Sequence, residues 1–279
     1  MTTNDHMMGA GSKKESAIPA PFAGKRQLKA EDELSFGCHA GLPCFNTCCH
    51  DVNIILTPVD VLRLSRRLKM STTEFIGQHT LKPITKELQL PVLMMKMSKT
   101  EEKACPFLTD KGCGVYEDRP WACRMYPIAM AVPPARAGDE EPEPIYFLLE
   151  DDFCKGHGAA TKWTVEKWRR DQGVVEHEDL EKCHREIHSH PWFIGGIRHL
   201  NPSGMEMFFM CSYDLDTFKR FIFNSSFLER FDIEEELVEK LRTDDVELLK
   251  FGSRWLRYSL FQEPIIKVRE DAPKSRRKK

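Results

Sequence analysis

Hydrophobic and polar positions fall into register first at "NIILTPVDVLRLSRRLKM". Ile54, Ile55 and Leu56 make a short apolar run suited to a strand. Thr57 then offers an N-cap, Pro58 fits the first helical position, and Asp60 favours the positive end of a helix. Val61, Leu64 and Leu68 recur on one helical face. "STTEF" at 71–75 has the form of a capping box, with Ser71 and Glu74 opening a second short helix. "PVLMMKM" (91–97) and "IYFLLE" (145–150) read as strands. Turn residues from Asp110 to Gly114 predict a tight hairpin-like loop, and Asp118 is a candidate cap for a turn containing Pro120.

From Trp163 onward the period becomes helical. "WTVEKWRRDQ" stops at Gly173, a natural residue after a helix end. "VVEHEDLEKCHREIH" predicts another helix, "MEMFFM" is ambiguous between strand and buried helix, and Asp214 and Asp232 look like N-caps. A last helix is expected at about 245–261. The fold class expected is α+β: a small metal-nucleated cysteine-rich domain with a helical C-terminal region. The organisation expected is a disordered lead at 1–33, a cysteine-cluster domain at 34–158, a helical region at 159–263 and a basic tail at 264–279, with a solvated loop at 131–144.

Composition changes this picture through cysteine. The net charge of -2 and pI near 6.6 give no global reason for nucleic acid or an anionic membrane. No run approaches the roughly 18 apolar residues of a membrane span, and the N-terminal stretch has no apolar core like that of a signal sequence. The expected compartment is the cytoplasm, which keeps thiols reduced and favours metal over disulfides for ten cysteines. Eight of them, Cys38, Cys44, Cys48, Cys49, Cys105, Cys113, Cys123 and Cys154, fall in the first 154 residues. Cys183 and Cys211 stand singly among apolar neighbours and read as inert buried thiols.

Thiolates are soft ligands, normally four per zinc or iron–sulfur site. In an extended segment adjacent side chains point to opposite faces. Cys48 and Cys49 therefore serve one polynuclear cluster only if the backbone bends. More simply, one ligates and the other faces a second centre or the core. The radical-SAM spacing fails because its third position is Asp51, and the bacterial ferredoxin run is absent. Arg119 and Arg124, flanking Cys123, are candidate cluster-contacting cations, with a surface ion pair to Glu117 or Asp118 as the bland reading. His39, His50 and His157 adjoin thiols but are expected at the surface. His184 and His188 share a helix face, read as a solvated helix end because Arg185 breaks the zincin motif. Tyr116 and Tyr126 are expected to pack around the site. No nucleotide-binding or nucleophile-elbow signature is found, and no catalytic residue is assigned.

"CFNTCCHDVNIILTPVDVLRL" followed by "CPFLTDKGCGVYEDRPWACRMYP" resembles the YkgJ-type cysteine-cluster family, the zinc- or iron-chelating CxxCxxCC domain. The strongest local likeness is "GCGVYEDRPWACRMYP". The first block here, C-x5-C-x3-CC, is wider than the signature name. The resemblance implies a metal centre, with zinc and iron–sulfur both entertained, and similarity to flagellin lysine methylases keeps an enzyme reading open. The expected cofactor is an iron–sulfur cluster of the [4Fe–4S] type, with zinc as the alternative. The expected partner is an unidentified protein or redox partner.

Overall fold

A computed structural model describes residues 22–85, 89–133, 143–193 and 199–270. Most of the lead, the centre of the solvated loop and most of the basic tail lie outside the described residues. Mixed helices and small sheets give an α+β fold. β1 (Arg26–Leu28) and β2 (Glu33–Ser35) open it, so residues 26–28 and Glu33, expected in a disordered lead, are strand. Three-residue strands are too short to show a period. Their partners lie more than 100 residues away: Leu28 faces Tyr146 and Leu34 faces Trp163.

β3 (Ile55–Leu56) leads into α1 (Pro58–Leu68) through the expected cap. Asp60 N–H donates to Thr57 Oγ1, and Thr57 N–H donates to Asp60 Oδ2 at 2.9 Å. Ser71 and Glu74 make the same reciprocal box at α2 (Thr72–His79). β4 (Thr80–Leu81) follows and pairs with β5 (Leu93–Met95), which also pairs with β3. β6 (Leu108–Thr109) and β7 (Gly112–Cys113) form the expected hairpin.

α3 (Trp121–Met125) is the first departure in capping. Asp118 does not cap it; it closes a short 3-10 turn at Tyr116–Asp118. The cap comes from α1, because Trp121 N–H donates to Asp60 Oδ1 at 2.8 Å. Asp60 is 0% exposed and also meets His177 Nε2 at 2.9 Å. One carboxylate thus serves two helix starts and a third helix, which local sequence cannot reveal.

β8 (Ile128–Ala131) and β9 (Ile145–Leu148) join β1 in a three-stranded sheet. β10 (Lys162–Thr164) pairs with β2 and runs into α4 (Val165–Asp171). Gly173 has φ of +65°, as a helix-ending glycine should. α5 (Val174–His188), α6 (Pro202–Ser212), α7 (Leu215–Phe223), α8 (Phe227–Arg230), β11 (Phe231–Asp232), α9 (Glu235–Thr243), α10 (Asp245–Phe261) and β12 (Lys267–Val268) complete the order. "MEMFFM" is therefore helical. Asp214 caps α7 by accepting from Thr217 N–H, whereas Asp232 is strand and α9 begins after Glu234. Lys267 and Val268, expected in a tail, pair with β11.

Two cores result. The larger runs from Ile54, Leu56 and Phe75 through Phe107 and Val115 to Phe208, Phe251 and Ile266, so the helices after 187 share it with the cysteine-bearing half. The smaller gathers Leu28, Leu34, Phe36, Met125, Ile128 and Trp168. Removing Asp60 would strand three donors, two half-buried and one, on His177, fully buried. Asp60→Ala should therefore lower stability by about 3 kcal/mol or more, and Glu74→Ala, at an exposed cap, by clearly less. Urea unfolding of both variants checks the contrast; equal losses would contradict it.

Candidate metal centre

Backbone contacts carry the first cysteine block to the second and third. Gly37 N–H donates to Gly156 O at 3.1 Å, setting Cys38 beside the loop of Cys154. A Cβ at Gly156 would come within 2.7 Å of Gly37 O and of the Phe36 ring, so this crossing requires glycine. Lys155 N–H points at Cys44 Sγ at 3.1 Å. Asn46, with φ of +71°, starts a 3-10 turn at Thr47–Cys49, which supplies the bend that adjacent thiols need. Cys105 N–H donates to Cys49 O at 2.8 Å. Leu108 pairs with Cys113 across the hairpin, where Gly112 takes φ of +110° against the Phe45 ring. Cys123 rides on α3, held by Asp60.

The eight thiols so assembled are free, and none is buried: Cys38, Cys48 and Cys123 are exposed and the other five half-buried. Cysteine is among the residues most often buried, and Cys211 behaves that way. Cys183 lies on α5, away from the thiol group, with Sγ 3.9 Å from Leu180 O.

These thiols act on one another in overlapping subsets, with Cys48 common to them. Cys49 hydrogen-bonds to Cys48, which lowers the Cys48 pKa to about 7 and raises that of Cys49. Burial, then Cys48, Cys44 and Cys154, push Cys38 upward. Burial, then Asp60 and the thiols of Cys105, Cys113 and Cys48, push Cys123 upward. Cys123 is exposed by area yet crowded by protein atoms, which is the condition of a thiol lining a concavity. Burial also raises Cys105, against N–H groups of Phe107 and Leu108 aimed at its sulfur. Thiolates crowded this way oppose each other's ionisation, and a bound cation reverses that balance.

The flanking arginines are engaged with the protein itself. Arg119 donates to Tyr116 O and Gln172 Oε1, both at 2.6 Å, and stacks over the Tyr116 ring. Arg124 donates to the carbonyls of Arg119, Gln172 and Glu117. Both guanidinium groups are buried and brace the loop that carries Cys123 onto the end of α4. His50 Nδ1 meets Asn46 O at 3.1 Å, and His39 Nδ1 accepts from Gly41 N–H. Tyr126 O–H donates to Asp151 and lies beside Cys154, so it does pack at the site.

The sequence reading missed a buried polar layer beneath Cys123. α5 turns Val174, His177, Glu178, Glu181, His184 and Ile187 inward. Its inner face has helical period but titratable side chains, and that was the available signal. Glu181 accepts from Val59 N–H at 2.6 Å, and Glu178 takes Trp121 Nε1–H at 3.1 Å and pairs with Arg169. His184 is not at a solvated end. It is buried against Phe208 and Tyr213, where burial depresses its pKa far below the usual value.

Residues 37–156 match the family model of the CxxCxxCC domain, described as zinc- or iron-chelating. The likeness covers 120 of the 279 residues, 37 to 156 inclusive. The match encloses all eight clustered thiols and excludes Cys183 and Cys211. No curated protein and no solved structure matches the chain significantly. The matched segment fits a chelating role by its donors: soft sulfur ligands, unburied, with N–H groups directed at Cys44 and Cys105 as supports of thiolate charge. Among the described residues no helix is long and apolar enough to cross a membrane.

Burial raises the Glu181 pKa to about 7, above an unfolded value of about 4.3. The folded state holds this proton more tightly. The stability it contributes is full below about pH 4 and is lost as pH rises through about 7. Glu181→Gln keeps the Val59 contact and removes the titration. Its stability should therefore gain on wild type by roughly 3 kcal/mol between pH 4 and 8. Parallel pH profiles in unfolding experiments would contradict the assignment.

Proposed function

We propose that the CxxCxxCC segment binds an iron–sulfur cluster of the [4Fe–4S] type through its clustered cysteines. The observation supporting this is that contacts between separate segments bring the cysteine-bearing loops together, with all eight thiols free and unburied. All eight fall within the matched chelating segment. Sulfur-only ligation suits both zinc and iron–sulfur. The number of thiols favours the cluster, because eight exceed what one tetrahedral zinc site takes.

Bound there, the cluster would supply one-electron chemistry or a rigid cross-link between loops. The chain's own residues do the rest. Asp60 and the two arginines position Cys123, and the 3-10 turn carries Cys48 and Cys49. Arg119 and Arg124 serve as positioning residues rather than cluster contacts. The biological role belongs to electron transfer, sensing or structural support, in the cytoplasm and with a protein or redox partner. A zinc-stabilised interaction module is the alternative. An enzyme reading gains nothing from the buried Asp60–His177 pair, which is closed to substrate.

Protein purified without oxygen should be brown, with broad absorbance near roughly 400 nm. Colourless protein with stoichiometric zinc would sink the iron reading. Cys44→Ser and Cys123→Ser should sharply lower metal content, and Cys183→Ser and Cys211→Ser should leave it near wild type. Metal loss at Cys183 with retention at Cys44 and Cys123 would move the site out of the N-terminal half.

A further inference from the structure

We propose that His184 makes the contact of α5 with α6 an acid-sensitive latch, closed while its ring is neutral and forced open when the ring takes a proton.

The two helices meet through rings. His184 stands 5.7 Å from the Phe208 ring and 6.2 Å from the Tyr213 ring, centre to centre. His188, one turn further along α5, meets the His184 ring at 4.7 Å and the Phe208 ring at 5.7 Å. His184 is 3% exposed, and Phe208 and Tyr213 are buried with it. Elsewhere α6 is fixed by backbone rather than by rings. A Cβ at Gly252 of α10 would come within 2.5 Å of Cys211 O, so these helices cross closely. The ring contact is thus the part of the α6 packing that a proton can reach.

Within that contact a charge has nowhere to go. Among the described residues, neither His184 Nδ1 nor Nε2 has a hydrogen-bond partner. A neutral ring leaves one donor unfilled; a protonated ring carries two donors and a charge, which is far costlier to bury. The surrounding groups do not compensate it. On α5, Glu181 is engaged with Val59 N–H and holds its own proton up to about 7. Asp60 of α1 is filled by two backbone N–H groups and the His177 ring. Tyr213, facing from the end of α6, is held protonated by burial. α10 gives Ser253 to Cys183 and Arg257 to Glu186, while Trp121 of α3 and Arg169 of α4 are taken by Glu178. His188 finds an acceptor in the backbone of His184, but a charge on His188 only opposes one on His184. His184 therefore gains its proton by leaving the Phe208–Tyr213 contact for water.

The folded ring resists a proton that the unfolded ring takes at about 6.5. Its contribution to stability is full above about pH 6.5 and is lost as pH falls. The test uses the full chain between about pH 7.5 and about pH 5. Nuclear magnetic resonance of histidine-labelled wild type should show the His184 ring charging below about 6.5, with its contacts to Phe208 and Tyr213 lost at the same midpoint. A ring that charges while those contacts persist, or one still neutral and packed at the acid end, would overturn the latch. In urea unfolding, the equilibrium constant should rise over this range about 30-fold more for wild type than for His184→Leu, which keeps an apolar side chain in the contact. Both proteins carry the same ten cysteines, so metal loss in acid cancels in the comparison. An equal rise in the two would sink the assignment to His184.

Discussion

The buried carboxylate of Asp60 fixes the relation between the cysteine-bearing loops and the helices. It accepts from Thr57 at the start of α1 and from Trp121 at the start of α3, and it meets His177 on α5. A carboxylate with no exposed surface is costly unless its oxygens are filled by donors, and here all three partners are backbone or ring N–H groups. Through that one group, the position of Cys123 depends on two helices distant in sequence. Glu178 extends the tie by holding the Trp121 indole, and the buried arginines hold the loop before α3 onto α4.

Above this layer the constraint is reversed. The thiols are drawn together by backbone bonds and glycine crossings, yet their mutual repulsion and partial burial disfavour ionising them. A metal cation supplies the missing attraction, and its binding free energy then becomes folding free energy for loops with little regular structure. The helices after 187 depend on it less, because the larger core buries Phe208, Phe218 and Phe251 completely or nearly so.

The helices were well read wherever a cap and an apolar period coincided. Thr57 with Asp60, Ser71 with Glu74 and Gly173 are local signals, decided within a few residues. The hairpin at 108–113 belongs to the same class. β1 and β2 were missed because three-residue strands carry no period, and β12 because its partner β11 is itself only two residues long. The arginines were placed correctly beside Cys123 in sequence, but only packing decided that their donors meet carbonyls.

The sequence by itself determined the donor chemistry: eight cysteines in three blocks, with the turn and cap residues that shape the segments between them. It also determined which thiols stand apart, since Cys183 and Cys211 lie in helical, apolar surroundings. Tertiary structure decided which thiols are neighbours, that Cys48 and Cys49 sit on a bend, and that His177, Glu181 and His184 are interior. Ligand type is a property of the residue. Convergence depends on contacts between segments up to more than 100 residues apart, and local propensity does not encode those.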